Sequence, residues 1–116
     1  MSEKWIVIQQ RAKSFADARD WGQFHSPKNL AMAMAGEIGE LIEHFQWLTE
    51  EQSRQLDDQV REAVALEMAD VLIYLLRMGD ELGIDVLDAA ERKIEANELR
   101  YPVEKAKGSA LKYDKL

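Results

Sequence analysis

The sequence predicts an all-α fold, an antiparallel four-helix bundle. Three observations lead there. Apolar residues recur at three- and four-residue spacing along most of the chain, as in helices that bury one face. Two prolines and six glycines are too little punctuation for the many short turns of a sandwich or barrel. Two stretches are apolar on nearly every face, each interrupted by one pair of acids, which places them inside a bundle or at a subunit contact. With 116 residues, 47% of them apolar and 32% charged, the chain is expected to fold as one domain over residues 1–116, with a core at 3–101 and a tail at 102–116.

Trp5, Ile8, Ala12 and Phe15 share one helical face and predict a first helix over residues 3–19. Asp20-Trp21-Gly22-Gln23-Phe24-His25-Ser26-Pro27 breaks that period. Ser26 suits an N-cap, and Pro27 the first position of the next helix, where its missing N–H has no partner to lose. The second helix is expected over 28–48. Thr49 to Asp58 is polar and aperiodic, a connection with room for an irregular turn. A third helix follows over 55–82, ended by Gly83, and Asp85 caps a fourth with a stripe of Leu87, Ala90 and Ile94 that stops near Arg100 before Pro102. The tail, Val103 to Leu116, is short and weakly patterned, mobile unless contacts hold it.

Fifteen basic against twenty-two acidic residues leave a net charge of −7. That balance repels phosphate backbones, so no nucleic-acid partner is expected, and it points toward cations. The absence of cysteine excludes disulfide scaffolds, thiol catalysis and cysteine-ligated metals. The longest apolar runs, Leu30–Ala35 and Val71–Leu76, are six residues each, against roughly 18 for a bilayer span. No membrane segment is expected, and a start of Met-Ser-Glu-Lys-Trp lacks the features of a secretory signal, so the expected location is cytoplasmic.

The chemistry lies in the acids of the two central helices. Between Leu30 and Ile42 the only charged residues are Glu37 and Glu40, and between Ala63 and Leu76 only Glu67 and Asp70. Residues three apart share one side of a helix, so each pair can grip one object, and the four acids are expected inside the protein. Burying an uncompensated charge costs several kcal/mol, on the order of the penalty for any buried ion. Magnesium takes hard oxygen ligands and keeps positions for water and phosphate oxygens, so a magnesium site, with manganese as a substitute, is the economical reading. The alternative is that the acids meet Lys or Arg, or stay protonated in a dry core. Glu43 extends the first series as a further ligand, an outer group or a solvated residue. His44 lies off the acid face and has no assigned role.

Gly36-Glu37-Ile38-Gly39-Glu40-Leu41 with Glu67-Met68-Ala69-Asp70 resembles the paired EXXE and EXXD metal motif of the all-α MazG-like nucleotide pyrophosphohydrolases. Asp20 to Leu30, Phe45-Gln46-Trp47, Asp70 to Leu75, Arg100-Tyr101-Pro102, Lys107-Gly108-Ser109 and Lys112-Tyr113 are similar to the deoxycytidine triphosphate pyrophosphatase branch. The resemblance covers nearly the whole chain and implies the all-α NTP pyrophosphatase fold. It implies magnesium-dependent cleavage of a nucleoside triphosphate between the α- and β-phosphates, giving a monophosphate and pyrophosphate. Glu37, Glu40, Glu67 and Asp70 would then be metal-binding and catalytic, with Glu40 the favoured water-activating group.

The same resemblance implies a nucleoside pocket of Trp21, Gln23, Phe24, His25, Trp47 and Tyr74, with Lys93, Asn97 and Tyr101 near the triphosphate and base. Considered alone, Trp47 and Tyr74 serve equally as core or interface aromatics, His25 as a capping or surface histidine, and Lys93 with Asn97 as a solvated stripe. The family's assembly implies a homodimer or homotetramer with pockets completed by neighbouring subunits. One departure stands at Ala12, where vertebrate relatives carry a substrate-contacting histidine. The expected function is cleavage of dCTP and modified cytosine nucleotides in nucleotide-pool house-cleaning. Its rivals are a broad-specificity house-cleaning pyrophosphatase and a non-enzymatic helical interaction module.

Overall fold

The structure, a computed structural model, describes residues 3–116. It is all-helical, with no strand among the described residues. The helices are α1 (Glu3–Ala18), α2 (Pro27–Glu43), the one-turn α3 (Glu50–Ser53), α4 (Asp58–Leu82), α5 (Val86–Arg100) and the one-turn α6 (Val103–Ala106), with 3-10 turns at Trp21–Phe24 and Tyr113–Lys115. The chain divides into two compact units, one running to Ile84 and the other starting at Asp85.

The boundaries follow from local chemistry. The Ser26 hydroxyl accepts from the Asn29 N–H at 3.1 Å with Pro27 at the first helical position. The Asp57 carboxylate accepts from Val60 N–H at 2.8 Å and opens α4, and Asp85 does the same for Asp88 at 3.0 Å to open α5. At the end of α4, Gly83 takes φ 65°, a left-handed conformation that glycine adopts without a Cβ clash. Asp20 takes φ 55°, a turn that aspartate tolerates better than most residues. It opens the 3-10 segment, which Gln23 secures by donating to the Asp20 carbonyl at 3.0 Å and carboxylate at 3.2 Å.

Two boundaries differ from the sequence expectation. The second helix ends at Glu43 rather than 48, and His44–Leu48 form successive turns, closed by Gln46 N–H to Ile42 O and Leu48 N–H to Phe45 O. The connection after it holds α3, opened by a reciprocal capping box between Thr49 and Gln52, so α4 starts at Asp58 rather than 55.

In the first unit α4 is the central element, and both α1 and α2 pack against it. The buried apolar residues of this unit are Ala16, Leu30, Val64 and Leu76. Gln9 of α1 donates to Asp80 of α4 at 2.9 Å, pinning one end of that packing. In the second unit, Tyr101 and Tyr113 meet edge to face at 6.1 Å, and the Arg100 guanidinium lies 5.1 Å from the Tyr113 ring centre.

Candidate active site

The packing of α2 along α4 joins the two acid pairs. One carboxylate oxygen each from Glu37, Glu67 and Asp70 lie within 4.8 Å of one another. Glu40 stands one turn beyond Glu37 on the same helix and shares a hydrogen bond with it. The expectation that all four acids lie inside is corrected: Glu37 and Glu67 are half-buried, whereas Glu40 and Asp70 are exposed. The acids lie where α2 packs along α4.

Their electrostatics match a site built for a cation. The Glu37 carboxyl is pushed up to about 7, first by burial, then by its hydrogen bond with Glu40 and the charges of Glu40 and Asp70, with a smaller contribution from Glu67. Glu67 Oε2 is buried without a hydrogen-bond partner. The ion pairs Lys13–Asp17, Arg77–Asp80, Arg77–Glu81 and Arg92–Asp88 involve none of the four acids. Three convergent carboxylates, one of them with a buried oxygen that has no partner, fit a divalent cation that takes oxygen ligands.

Beside the acids opens a cavity of about 480 Å³, with Glu37 and Asp70 in its wall. Phe15, Trp21, His25 and Tyr74 supply its rings, and Trp21 meets Phe15 edge to face at 5.5 Å and His25 at 6.3 Å. Ile8, Ala12, Ala16 and Ile73 add aliphatic surface, and Arg11 and Arg77 are its cations. The acids therefore border an aromatic compartment large enough for a nucleobase.

Of the sequence-predicted pocket residues, the structure brings Trp21, His25 and Tyr74 into this cavity and leaves others out of it. Gln23 secures the 3-10 turn. Phe24 is exposed, and its carbonyl accepts from Asn29 at 3.0 Å. Trp47, in the turns after α2, is 87% exposed, which removes its reading as a core aromatic of this chain. Lys93 and Asn97, exposed on α5, and Tyr101 at its end belong to the second unit. Glu43 is exposed at the end of α2.

Sequence reasoning missed Arg11 and Arg77 as wall residues. A signal existed for the second: Glu67, Asp70, Tyr74 and Arg77 follow one another at three- and four-residue spacing on α4, so Arg77 continues the face that carries the acids.

A sequence model of the MazG-like family matches residues 33–116, which include both acid pairs. The chain belongs to the MazG-like family. It is 42% identical over 111 residues to dCTP pyrophosphatase 1 of Bos taurus, covering 94% of this chain and 66% of that protein. Against the Homo sapiens protein of the same name identity is 41%, over 94% of this chain and 65% of the relative. The chain thus spans just under two thirds of the length of the curated relatives it matches. Among solved structures, the crystal structure of a pyrophosphatase from Archaeoglobus fulgidus superposes with a TM-score of 0.81 at 36% identity, over 88% of this chain and 95% of that one. In this MazG-like chain the acid seam and the aromatic cavity adjoin, so one molecule can place its charged end at the carboxylates and its flat end among the rings.

Proposed function

We propose that this chain is a magnesium-dependent nucleoside triphosphate pyrophosphohydrolase, acting on dCTP and modified cytosine nucleotides to give the monophosphate and pyrophosphate. The observation that carries this reading is the convergence of Glu37, Glu67 and Asp70 within 4.8 Å at the edge of the ring-lined cavity. The names of the curated relatives support the substrate. The family match across residues 33–116 supports treating the chain as one MazG-like domain.

Glu37, Glu67 and Asp70 would hold magnesium, or manganese in its place, and the bound ion would supply charge neutralisation for the phosphates and a lower pKa for water. Glu40, beside Glu37 but outside the group of three, takes the proton of the attacking water. The water oxygen bonds to the α-phosphorus, the bond from that phosphorus to the α,β-bridging oxygen breaks, and pyrophosphate leaves. Trp21 and Tyr74 flank the base and His25 lies at its edge.

Gln23, Phe24, Trp47, Lys93, Asn97 and Tyr101 complete the substrate site in a homodimer or homotetramer. The exposure of Trp47 and of Ile38 and Ile42 on α2 and Leu66 and Ile73 on α4 supports that assembly. A cytoplasmic place of action accords with the fact that no described helix is long and apolar enough to cross a membrane.

A panel of nucleoside triphosphates incubated with magnesium, with products resolved by chromatography, tests the reading. Pyrophosphate and dCMP from dCTP are expected. Orthophosphate as first product overturns the cleavage position, and no turnover of any nucleotide overturns the enzyme. Ala12, a methyl group in the cavity wall, favours a second version in which several bases are accepted, and equal kcat/KM for pyrimidines and purines would establish it.

A further inference from the structure

Two arginines line the cavity, Arg11 on α1 and Arg77 on α4, and they differ in what they have left to give. Arg77 is 2% exposed, and Asp80 at 3.4 Å and Glu81 at 2.8 Å balance its charge. Arg11 is exposed and enters no hydrogen bond or ion pair among the described residues. Its guanidinium is an open fork of N–H donors on a long flexible stem. The next residue, Ala12, also lines the cavity and is small enough to leave the way in clear.

The register of α1 on α4 sets which end of a nucleotide Arg11 meets. Gln9 donates to Asp80 at 2.9 Å, so Arg11, two residues on, stands near the level of Asp80. Asp70 lies ten residues earlier on α4, roughly 15 Å along a helix that rises about 1.5 Å per residue. The step from Gln9 to Arg11 returns at most about 3 Å of that span, and Ile73 and Tyr74 fall between the two levels. A nucleotide whose phosphates meet Glu37, Glu67 and Asp70 therefore extends its base toward Arg11.

We propose that Arg11 reads the edge of the base, its fork donating to the adjacent O2 and N3 of cytosine and so selecting cytosine over uracil and thymine. This rests on the reading of the site as that of a nucleotide pyrophosphohydrolase. Cytosine carries two neighbouring acceptors, a carbonyl oxygen and an unprotonated ring nitrogen, and they suit parallel N–H donors as O6 and N7 of guanine do. Uracil and thymine carry an N–H at that ring position, so one arm of the fork meets a donor. Before the base arrives, water satisfies the exposed fork, and once the base excludes that water a mismatched arm is left unpaired. A site that hydrogen-bonds its ligand rejects the mismatched analogue more strongly than an apolar wall does.

The test compares dCTP, dUTP and 3-deaza-dCTP, in which a C–H replaces N3, on the wild-type protein and on Arg11→Met, whose side chain is long and has no donor. Wild type is expected to hydrolyse dCTP with kcat/KM at least about tenfold above the other two, the usual worth of a bidentate base contact. Arg11→Met should bring all three within about threefold of one another, because the coupling between this side chain and the ring nitrogen is then gone. Equal wild-type efficiency on dCTP and 3-deaza-dCTP overturns the contact without recourse to any variant. A preference that survives unchanged in Arg11→Met places the contact on another residue, and an equal rise in KM for all three nucleotides makes Arg11 a phosphate contact; either result overturns the proposal and leaves the pyrophosphohydrolase standing. Absence of all turnover overturns the hydrolase, and calorimetry then decides the role of Arg11 separately. Tighter binding of dCMP than of dUMP in wild type, lost in Arg11→Met, supports that role, and no preference in wild type overturns it as well.

Discussion

Burial, then the neighbouring Glu40, Asp70 and Glu67 carboxyls, push the Glu37 carboxyl up to about 7, and this has consequences that can be measured. In the folded, metal-free protein this carboxyl holds its proton more tightly than in the unfolded chain, where it titrates near 4.5. Its contribution to stability is therefore fully present below about 4.5 and lost as pH rises through about 7. Denaturant unfolding in chelator should show wild type losing stability relative to Glu37→Gln across that window, and the opposite slope would contradict the assignment. In the proposed reaction Glu40 takes the proton of the attacking water. Glu40→Gln keeps volume and the neighbouring hydrogen bond but cannot accept a proton. Turnover should fall by roughly 10²- to 10⁴-fold, the usual worth of a general base, with the far-ultraviolet spectrum unchanged. Near wild-type rates would move the base elsewhere.

At the scale of elements, the helix ends were the most legible part of the sequence. Ser26-Pro27, Gly83, Asp85 and Pro102 each mark an end in the structure, because each acts through its own backbone or the next few residues. The Ser26 cap sets the start of α2, the helix that carries Glu37 and Glu40. Ser26→Ala should lower stability by about 1 kcal/mol, read by chemical denaturation, while KM for the nucleotide stays within twofold. The end of α2 at Glu43 was not legible. Leu41-Ile42 and Phe45 continue an apolar period that a helix could also satisfy, and only the turn hydrogen bonds of His44 to Leu48 show that the chain leaves it. The residues of the Thr49–Gln52 capping box stand in the sequence, but a one-turn helix has no apolar period to announce it.

For the molecule as a whole, four buried apolar residues among the described ones, beside many exposed large ones, are a small core for a chain of 116 residues. A second copy covering the exposed faces would supply the missing burial. Trp47→Ala should leave stability within about 0.5 kcal/mol, as for a surface site, and should weaken nucleotide binding if a neighbouring subunit brings that ring to the base. A large stability loss with unchanged affinity would instead make Trp47 an interface anchor. Asp70→Asn separates metal binding from architecture in the same molecule. Removing one of the converging charges should leave the metal-free protein as stable as wild type or more so, yet abolish most of the magnesium-induced rise in Tm. Calorimetry with and without magnesium reads both, and a metal-free loss of several kcal/mol, on the order of a broken buried ion pair, would withdraw Asp70 from the metal site.

The sequence by itself determined the helical class, most helix ends and the pairing of acids. These depend on period, cap chemistry and spacing within one element, all local to the chain. Spacing put Glu37 with Glu40 and Glu67 with Asp70. Only tertiary packing decided that Glu37, Glu67 and Asp70 form the tight group while Glu40 stands beside it, because the rotation of α2 against α4 is set by every contact between them. The same holds for the cavity. Ile8, Ala12 and Phe15 read as one apolar face of α1, and nothing in their period shows that part of that face lines a space rather than fills a core. Arg77 is the sharpest case. A charged residue in an apolar helix reads as solvated until the structure shows Asp80 and Glu81 holding it and its Nε buried without a partner, and burial is a property of the whole assembly of neighbours rather than of the residue.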